Sequence, residues 1–139
     1  MDHGTKTLQC IVVTPERAVL DQPADFVALP MYDGELGVLP GRAPLIGRLG
    51  SGELRLQHGN TADRYFIDGG FAQARNNQVT VLTPKAIKAE AIDQEAAARA
   101  LEAPIGVVAT ESGQQKASAK ERARTQLRIA RKGHQAPHA

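Results

Sequence analysis

Tryptophan is absent from this chain, and it has only three Phe and two Tyr. Any core must therefore be built from Val, Leu, Ile and Ala. Cys10 is the only cysteine, which excludes an internal disulfide and a cysteine-based metal site. No apolar run approaches the ~18–20 residues that a membrane-crossing helix needs. The start, Met1 to Gln9, is polar and lacks the apolar stretch of a secretory signal. The expectation is a protein that stays in the compartment where it is made.

Catalytic constellations are also missing. The glycine-rich stretch Gly34 to Gly41 has no Gly-Lys-Ser/Thr ending and no helical pattern after it, so it is not a P-loop. His3, His58, His134 and His138 fall in a terminus, a turn and a tail, and Pro137 interrupts the last pair. No Ser/His/Asp set or metal site is expected from them. Cys10 lies mid-strand among Ile11 and Val12 and reads as a buried structural thiol. Asp33 and Glu35 form a carboxylate pair in type, but their loop setting favours solvated interface charges over acid–base work.

What the chain does have is two halves of different period. From about residue 6 to 83 the pattern alternates with period two. Leu8, Cys10 and Val12 share one face, and Leu54 and Leu56 point inward from Glu53–Gln57. His58-Gly59-Asn60-Thr61 reads as a turn into a strand through Tyr65, Phe66 and Ile67. Phe71–Arg75 and Gln78–Leu82 flank Asn76-Asn77, and Asn tolerates positive φ, so a tight hairpin is expected. Many short strands with Gly and Pro turns predict a mainly β sandwich or barrel.

After Pro84 the period becomes helical. Ala89, Ile92, Ala96, Ala100 and Ala103 form one stripe, with Asp93 as N-cap of a helix over 94–103 and Pro104 as its stop. Ala119, Ala123, Leu127 and Ala130 form a second stripe, which predicts a helix over 116–132 ended by Gly133. The segment Ile105-Gly106-Val107-Val108 fits loop, strand or helix. Both stripes are mostly Ala, so packing at ~25 cal/mol per Å2 holds this hairpin weakly, as suits an element that can detach. The division expected is 1–87 as a β-sandwich and 88–139 as a C-terminal helical hairpin.

Charge follows the same division. Residues 116–139 carry seven Lys/Arg against Glu121 alone, whereas the first 115 hold ten Lys/Arg and fourteen Asp/Glu. A basic tail of this kind points to an acidic partner. Nucleic acid, anionic lipid and an acidic protein surface all fit. No aromatic is interleaved with the basic residues, which argues against single-stranded nucleic acid.

The segment Asp33 to Leu45 reads DGELGVLPGRAPL. It resembles the signature loop of the F-type ATP synthase epsilon subunit, called delta in mitochondria. Gly34-Glu35-Leu36-Gly37 and Pro40-Gly41-Arg42-Ala43-Pro44-Leu45 match that loop in order and spacing. Gly50-Ser51-Gly52-Glu53-Leu54-Arg55-Leu56, and Asp68-Gly69-Gly70-Phe71 followed by Val79-Thr80-Val81-Leu82, resemble two further blocks of the family. The resemblance spans most of residues 6–93 and continues more loosely through Ala117 to Arg128. It implies a flattened sandwich of about ten strands followed by a helical hairpin. It also implies a non-catalytic rotor subunit of a proton-translocating enzyme, peripheral at the cytoplasmic face of a bacterial cell membrane. The sandwich would assemble with the gamma subunit and the c-subunit ring, and the helices would restrain ATP hydrolysis.

By match to the family loop, Glu35 stands where the c-ring is contacted and Arg42 where gamma is contacted. Arg42 replaces a frequent His, so any pH-sensitive role of an imidazole is lost. Arg122, Arg124, Arg128, Arg131 and Lys132 would face an acidic segment of the catalytic beta subunit. The family's nucleotide motif, Ile/Leu-Asp-x-x-Arg-Ala, reads Ile92-Asp93-Gln94-Glu95-Ala96-Ala97 here. The cation that an ATP phosphate needs is missing. Asp93 and Arg99 remain as the only nucleotide candidates, and no cofactor is expected. A reading of another class, a β-sandwich binding module with a nucleic-acid-binding tail, is separated from this one by what co-purifies: a gamma subunit or nucleic acid.

Overall fold

The computed structural model describes residues 7–102 and 113–133. Eight strands come first: β1 Leu8–Val13, β2 Ala18–Ala24, β3 Phe26–Met31, β4 Gly34–Val38, β5 Leu45–His58, β6 Thr61–Arg75, β7 Gln78–Leu82 and β8 Ala86–Lys88. A 3-10 turn at Ala89–Ala91 leads to α1, Gln94–Glu102, and then to α2, Gly113–Gly133. The strands are ordered β2-β1-β7-β6-β5-β3-β4, with β8 added to β6. All pairings are antiparallel except β1 with β7.

Two long strands make the sandwich. The first part of β6, Tyr65 to Ile67, pairs with β8, and its last part, Phe71 to Arg75, pairs with β7. Inward residues switch parity on the way: Tyr65 and Ile67 in the first part, Ala72 and Ala74 in the second. β5 switches likewise, from Leu49 to Leu54 and Leu56. The ladder between them skips a pair, from Leu49↔Gly70 to Ser51↔Asp68. Such a break re-aims a strand, as a bulge does. Gly70 sits there with φ +108, and a Cβ on it would collide with the carbonyl oxygen of Leu82. Only glycine satisfies both demands. Counting β5 and β6 by halves brings eight strands to the ten that the resemblance implies.

The period-two reading of the sequence is visible residue by residue. Leu8, Cys10 and Val12 are buried in one core with Val27, Leu29, Leu54, Leu56, Ile67, Val79 and Val81. Burial raises the Cys10 thiol to about 12, with the Asp21 carboxylate adding to the effect. Asn76 and Asn77 adopt φ 53 and 62, the conformation of a type I′ hairpin turn.

The helices keep their expected places, but the phase of the first is different. Asp93 caps α1, its Oδ1 accepting from the Ala96 amide at 3.0 Å. Ala89 and Ile92 are buried, yet Ala96 and Ala100 are exposed, and Ala97 is the buried residue of α1. The stripe drawn from Ala89 to Ala103 fails because Ile92 is extended, with φ −71 and ψ 130. That break restarts the helical phase after the 3-10 turn. Ala97 and half-buried Leu101 pack on Ala123 and Leu127 of α2. The Lys120 ammonium donates to the Leu101 carbonyl near the end of α1. A second face of α2 lies on the sheet: Ile129 and Ala130 pack with Phe66, Ala89, Ile92 and Ile87. Ala119, placed on the second stripe, is exposed. The segment 103–112, the stop at Pro104, and His3, His134 and His138 lie outside the described residues.

Candidate partner interfaces

Glu35 is not in a loop. It belongs to the edge strand β4, opposite Pro30 of β3. The strand can lie this close because Gly37 faces the Phe26 ring; a Cβ there would come within 2.8 Å of it. Arg55 reaches across from β5, 3.6 Å from Glu35 Oε2 and with its guanidinium 5.8 Å from the Phe26 ring centroid. The Glu35 side chain remains 59% exposed, so this pair contributes little to stability. Arg42 follows a turn in which its amide donates to the Leu39 carbonyl. The preceding Gly41 amide donates to Asn77 Oδ1 at 2.7 Å, tying this turn to the β6–β7 hairpin.

Glu35 and Arg42 meet along one open groove of about 620 Å3, which is also lined by Tyr32, Ile46 and Arg48. Arg48 lies over the Tyr32 ring, 4.4 Å from its centroid, a cation–π contact. The opposed signs of Glu35 and Arg42, the stacked Tyr32 and the bare Ile46 make a surface suited to a protein partner.

Beside the groove, the outward face of the sheet is apolar and uncovered. Ile46 is 76% exposed, Phe71 58% and Leu82 52%. Phe71 and Leu82 are direct partners across β6 and β7, and Arg48 stands opposite Phe71 on β5. A patch of large apolar side chains on neighbouring strands marks an interaction surface. Sequence reading missed it. Its signal was present in the alternation: Ile46, Phe71 and Leu82 are the out-facing partners of Leu45, Ala72 and Val81.

The basic residues of α2 do not share one face. Arg124, Arg128 and Arg131, at spacings of four and three, are exposed. Arg122 instead reaches Asp68 Oδ2 at 3.7 Å, and Lys132 reaches Glu53 Oε1 at 3.5 Å. Both bind the sheet. Asp93 is occupied as a helix cap. Arg99 is 68% exposed and lies 3.7 Å from Glu95, one turn away. Among the described residues, neither of these two nucleotide candidates lines the groove of Glu35 and Arg42 or the cavity beside Arg122. Among the described residues no group of three or more His, Cys, Asp and Glu is placed to hold a metal ion, and no helix is long and apolar enough to cross a membrane.

A family model, the β-sandwich domain of the ATP synthase delta/epsilon chain, matches residues 7–89. The chain is 52% identical over 127 residues to an ATP synthase epsilon chain of Rhodopirellula baltica, covering 90% of this chain and 99% of the relative. It is 42% identical over 95 residues to one of Nitratidesulfovibrio vulgaris, covering 68% and 71%. Among solved structures it resembles a chain of the Euglena gracilis mitochondrial ATP synthase OSCP/F1/c-ring assembly, with a TM-score of 0.65 at 25% identity over 94% of this chain and 82% of that one. A chain of the Tetrahymena thermophila mitochondrial ATP synthase central stalk and c-ring shares the fold, with a TM-score of 0.62 at 12% identity over 91% and 98%. The match runs through the sandwich and on into the helices, and the chain belongs to the ATP synthase delta/epsilon family.

Proposed function

We infer that this chain is a non-catalytic central-stalk subunit of a proton-translocating F-type ATP synthase, coupling ion flow to ATP synthesis. The observation that carries this reading is the 52% identity to an epsilon chain over 99% of that relative's length. Its partners are the gamma subunit, the c-subunit ring and the catalytic beta subunit, and it sits peripherally at the cytoplasmic face of a bacterial cell membrane. The physical support is the uncovered face of Ile46, Phe71 and Leu82 beside the groove that holds Glu35 and Arg42. Exposed side chains of this kind gain nothing from the isolated fold and gain much from a partner that removes them from water. Glu35 is assigned to the c-ring, and Arg42 with the apolar face to gamma.

The division of labour follows the packing: the principal core lies in the sandwich, and two smaller clusters join the helices to it and to each other. Residues 1–87 form the assembly and coupling part, since the principal core draws its buried residues from Leu8 to Val81 alone. Residues 88–139 form the regulatory part, restraining ATP hydrolysis through Arg124, Arg128 and Arg131 toward an acidic segment of beta. Nucleotide has no strong part in this account, because Ala96 stands exposed where the family motif has Arg. ATP binding to the isolated chain should be weak or absent by calorimetric titration.

The test is co-purification of the tagged chain with its cognate gamma subunit and c-ring. A chain ending at Ala89 should still retain gamma. Recovery of nucleic acid in place of gamma would replace this reading with that of a binding module with a basic tail.

A further inference from the structure

The α2 stripe Arg122-Thr125-Ile129-Lys132, at spacings of three, four and three, is the one turned to the sheet: Thr125 and Ile129 are buried between two cations that reach it. Opposite lie two register pairs on the outward face of β5 and β6, Ser51↔Asp68 and Glu53↔Phe66. Asp68 Oδ1 accepts from the Ser51 hydroxyl, and Arg122 approaches its Oδ2. The Glu53 side chain is only 8% exposed; Arg64 Nε donates to its Oε2 at 2.9 Å, and Lys132 stands at its Oε1. Each oxygen of Glu53 therefore faces its own cation. A carboxylate beside Phe66 is costly to cover with a helix unless it is paired. Arg64 pairs one oxygen from within the sheet, and docking of α2 brings the cation for the other.

We propose that α2 is fastened to the sheet by a two-point ionic latch, Lys132 to Glu53 and Arg122 to Asp68, which makes the docked fraction depend on ionic strength and on competing charge. The apolar part of the seam is small, Ile129 and Ala130 against Phe66, Ile87, Ala89 and Ile92. The latch supplies the remainder. Arg122 and Lys132 therefore hold the helix down, whereas Arg124, Arg128 and Arg131 stay free of ion pairs among the described residues. The latch is a property of the isolated chain; its consequence for hydrolysis rests on the reading of α2 as a brake.

Amide hydrogen exchange of the full chain tests it, read at 123–130 in α2, with Val79 and Val81 of β7 reporting that the sandwich is intact. In wild type, exchange of α2 should quicken between low salt and about 1 M, where the Debye length is about 3 Å. Arg122→Ala with Lys132→Ala, which removes two partly exposed pairs, should quicken it about tenfold at low salt and abolish most of the salt response. Arg124→Ala with Arg128→Ala and Arg131→Ala should leave it unchanged. Arg122→Asp alone should loosen α2, and adding Asp68→Arg should restore it, which a merely misfolded helix would not show. Equal α2 protection in wild type and the double variant at both salts would overturn the latch. In the assembled enzyme the double variant should hydrolyse ATP more slowly, because a freed helix reaches the catalytic subunits more often. Unchanged hydrolysis together with a loosened helix would overturn the brake reading and leave the latch standing.

Discussion

The outward face of β5 and β6 is treated differently at its two ends. At one end Phe66 is fully buried and Glu53 almost so, beneath Ile129, Ala130 and Lys132 of α2. At the other, Ile46 and Phe71 stand in the open with nothing of the described chain over them. Composition does not distinguish the ends, since each carries a Phe flanked by charge. What differs is the partner. One end is covered from within the chain, by an element held through a small apolar contact and ion pairs. The other has no cover among the described residues. The proposed roles use both: the bare end as a fixed attachment, and α2 as an element that would leave its seat.

The largest effect that separates the ends is a pair of equal substitutions. Phe66→Ala should cost about 3–5 kcal/mol, the usual range for a buried Phe, and should release α2. Phe71→Ala should change the stability of the isolated chain by no more than about ±0.5 kcal/mol and weaken only its binding to gamma. Thermal melts of the two variants decide this, and similar losses would erase the distinction.

Alkali should act on the core that both ends share. The Cys10 thiol is raised from 9.0 to about 12 by burial and then by Asp21. A raised folded value means that stability is intact below 9 and is lost as pH climbs toward 12. The loss should approach about 1.4 kcal/mol per pH unit within that window. Tyr65, also raised, chiefly by burial and further by Asp63, Glu90 and Cys10, pulls in the same direction above 10.0. Denaturant midpoints measured from pH 8 upward should fall, and Cys10→Ala should fall less steeply.

Smaller still, Asp93→Ala removes the α1 cap at a cost of about 1 kcal/mol. Circular dichroism should show helix lost while the strand signal is kept. Smallest of all, Glu35→Ala and Arg42→Ala should each stay within about ±0.5 kcal/mol in melting and should lower rotor assembly or coupling instead. A large melting shift with normal coupling would make these residues structural.

Much of the fold was legible because period two and period 3.6 are written directly in burial. Leu8-Cys10-Val12, Leu54-Leu56 and the Asn76-Asn77 turn needed no tertiary information. The phase of α1 was not legible, because the break at Ile92 comes from backbone geometry that apolar spacing does not record. The strand status of Glu35 was hidden by glycines that read as a loop, although one of them, Gly37, serves to seat Phe26. The division of the basic residues was available in the sequence: Arg122 and Lys132 share a helical face with Ile129, and Arg124, Arg128 and Arg131 do not. A charge count conceals this, and face-by-face reading recovers it.

The bare end of the sheet is the seat proposed for the gamma subunit. The direct measurement is the affinity of the purified chain for its cognate gamma subunit, in wild type and in Ile46→Asp with Phe71→Asp. Both positions are exposed, so melting should be nearly unchanged while affinity falls at least about a hundredfold, as when hot-spot apolar contacts are lost. Undiminished affinity in a variant that melts like wild type would place gamma elsewhere on the molecule.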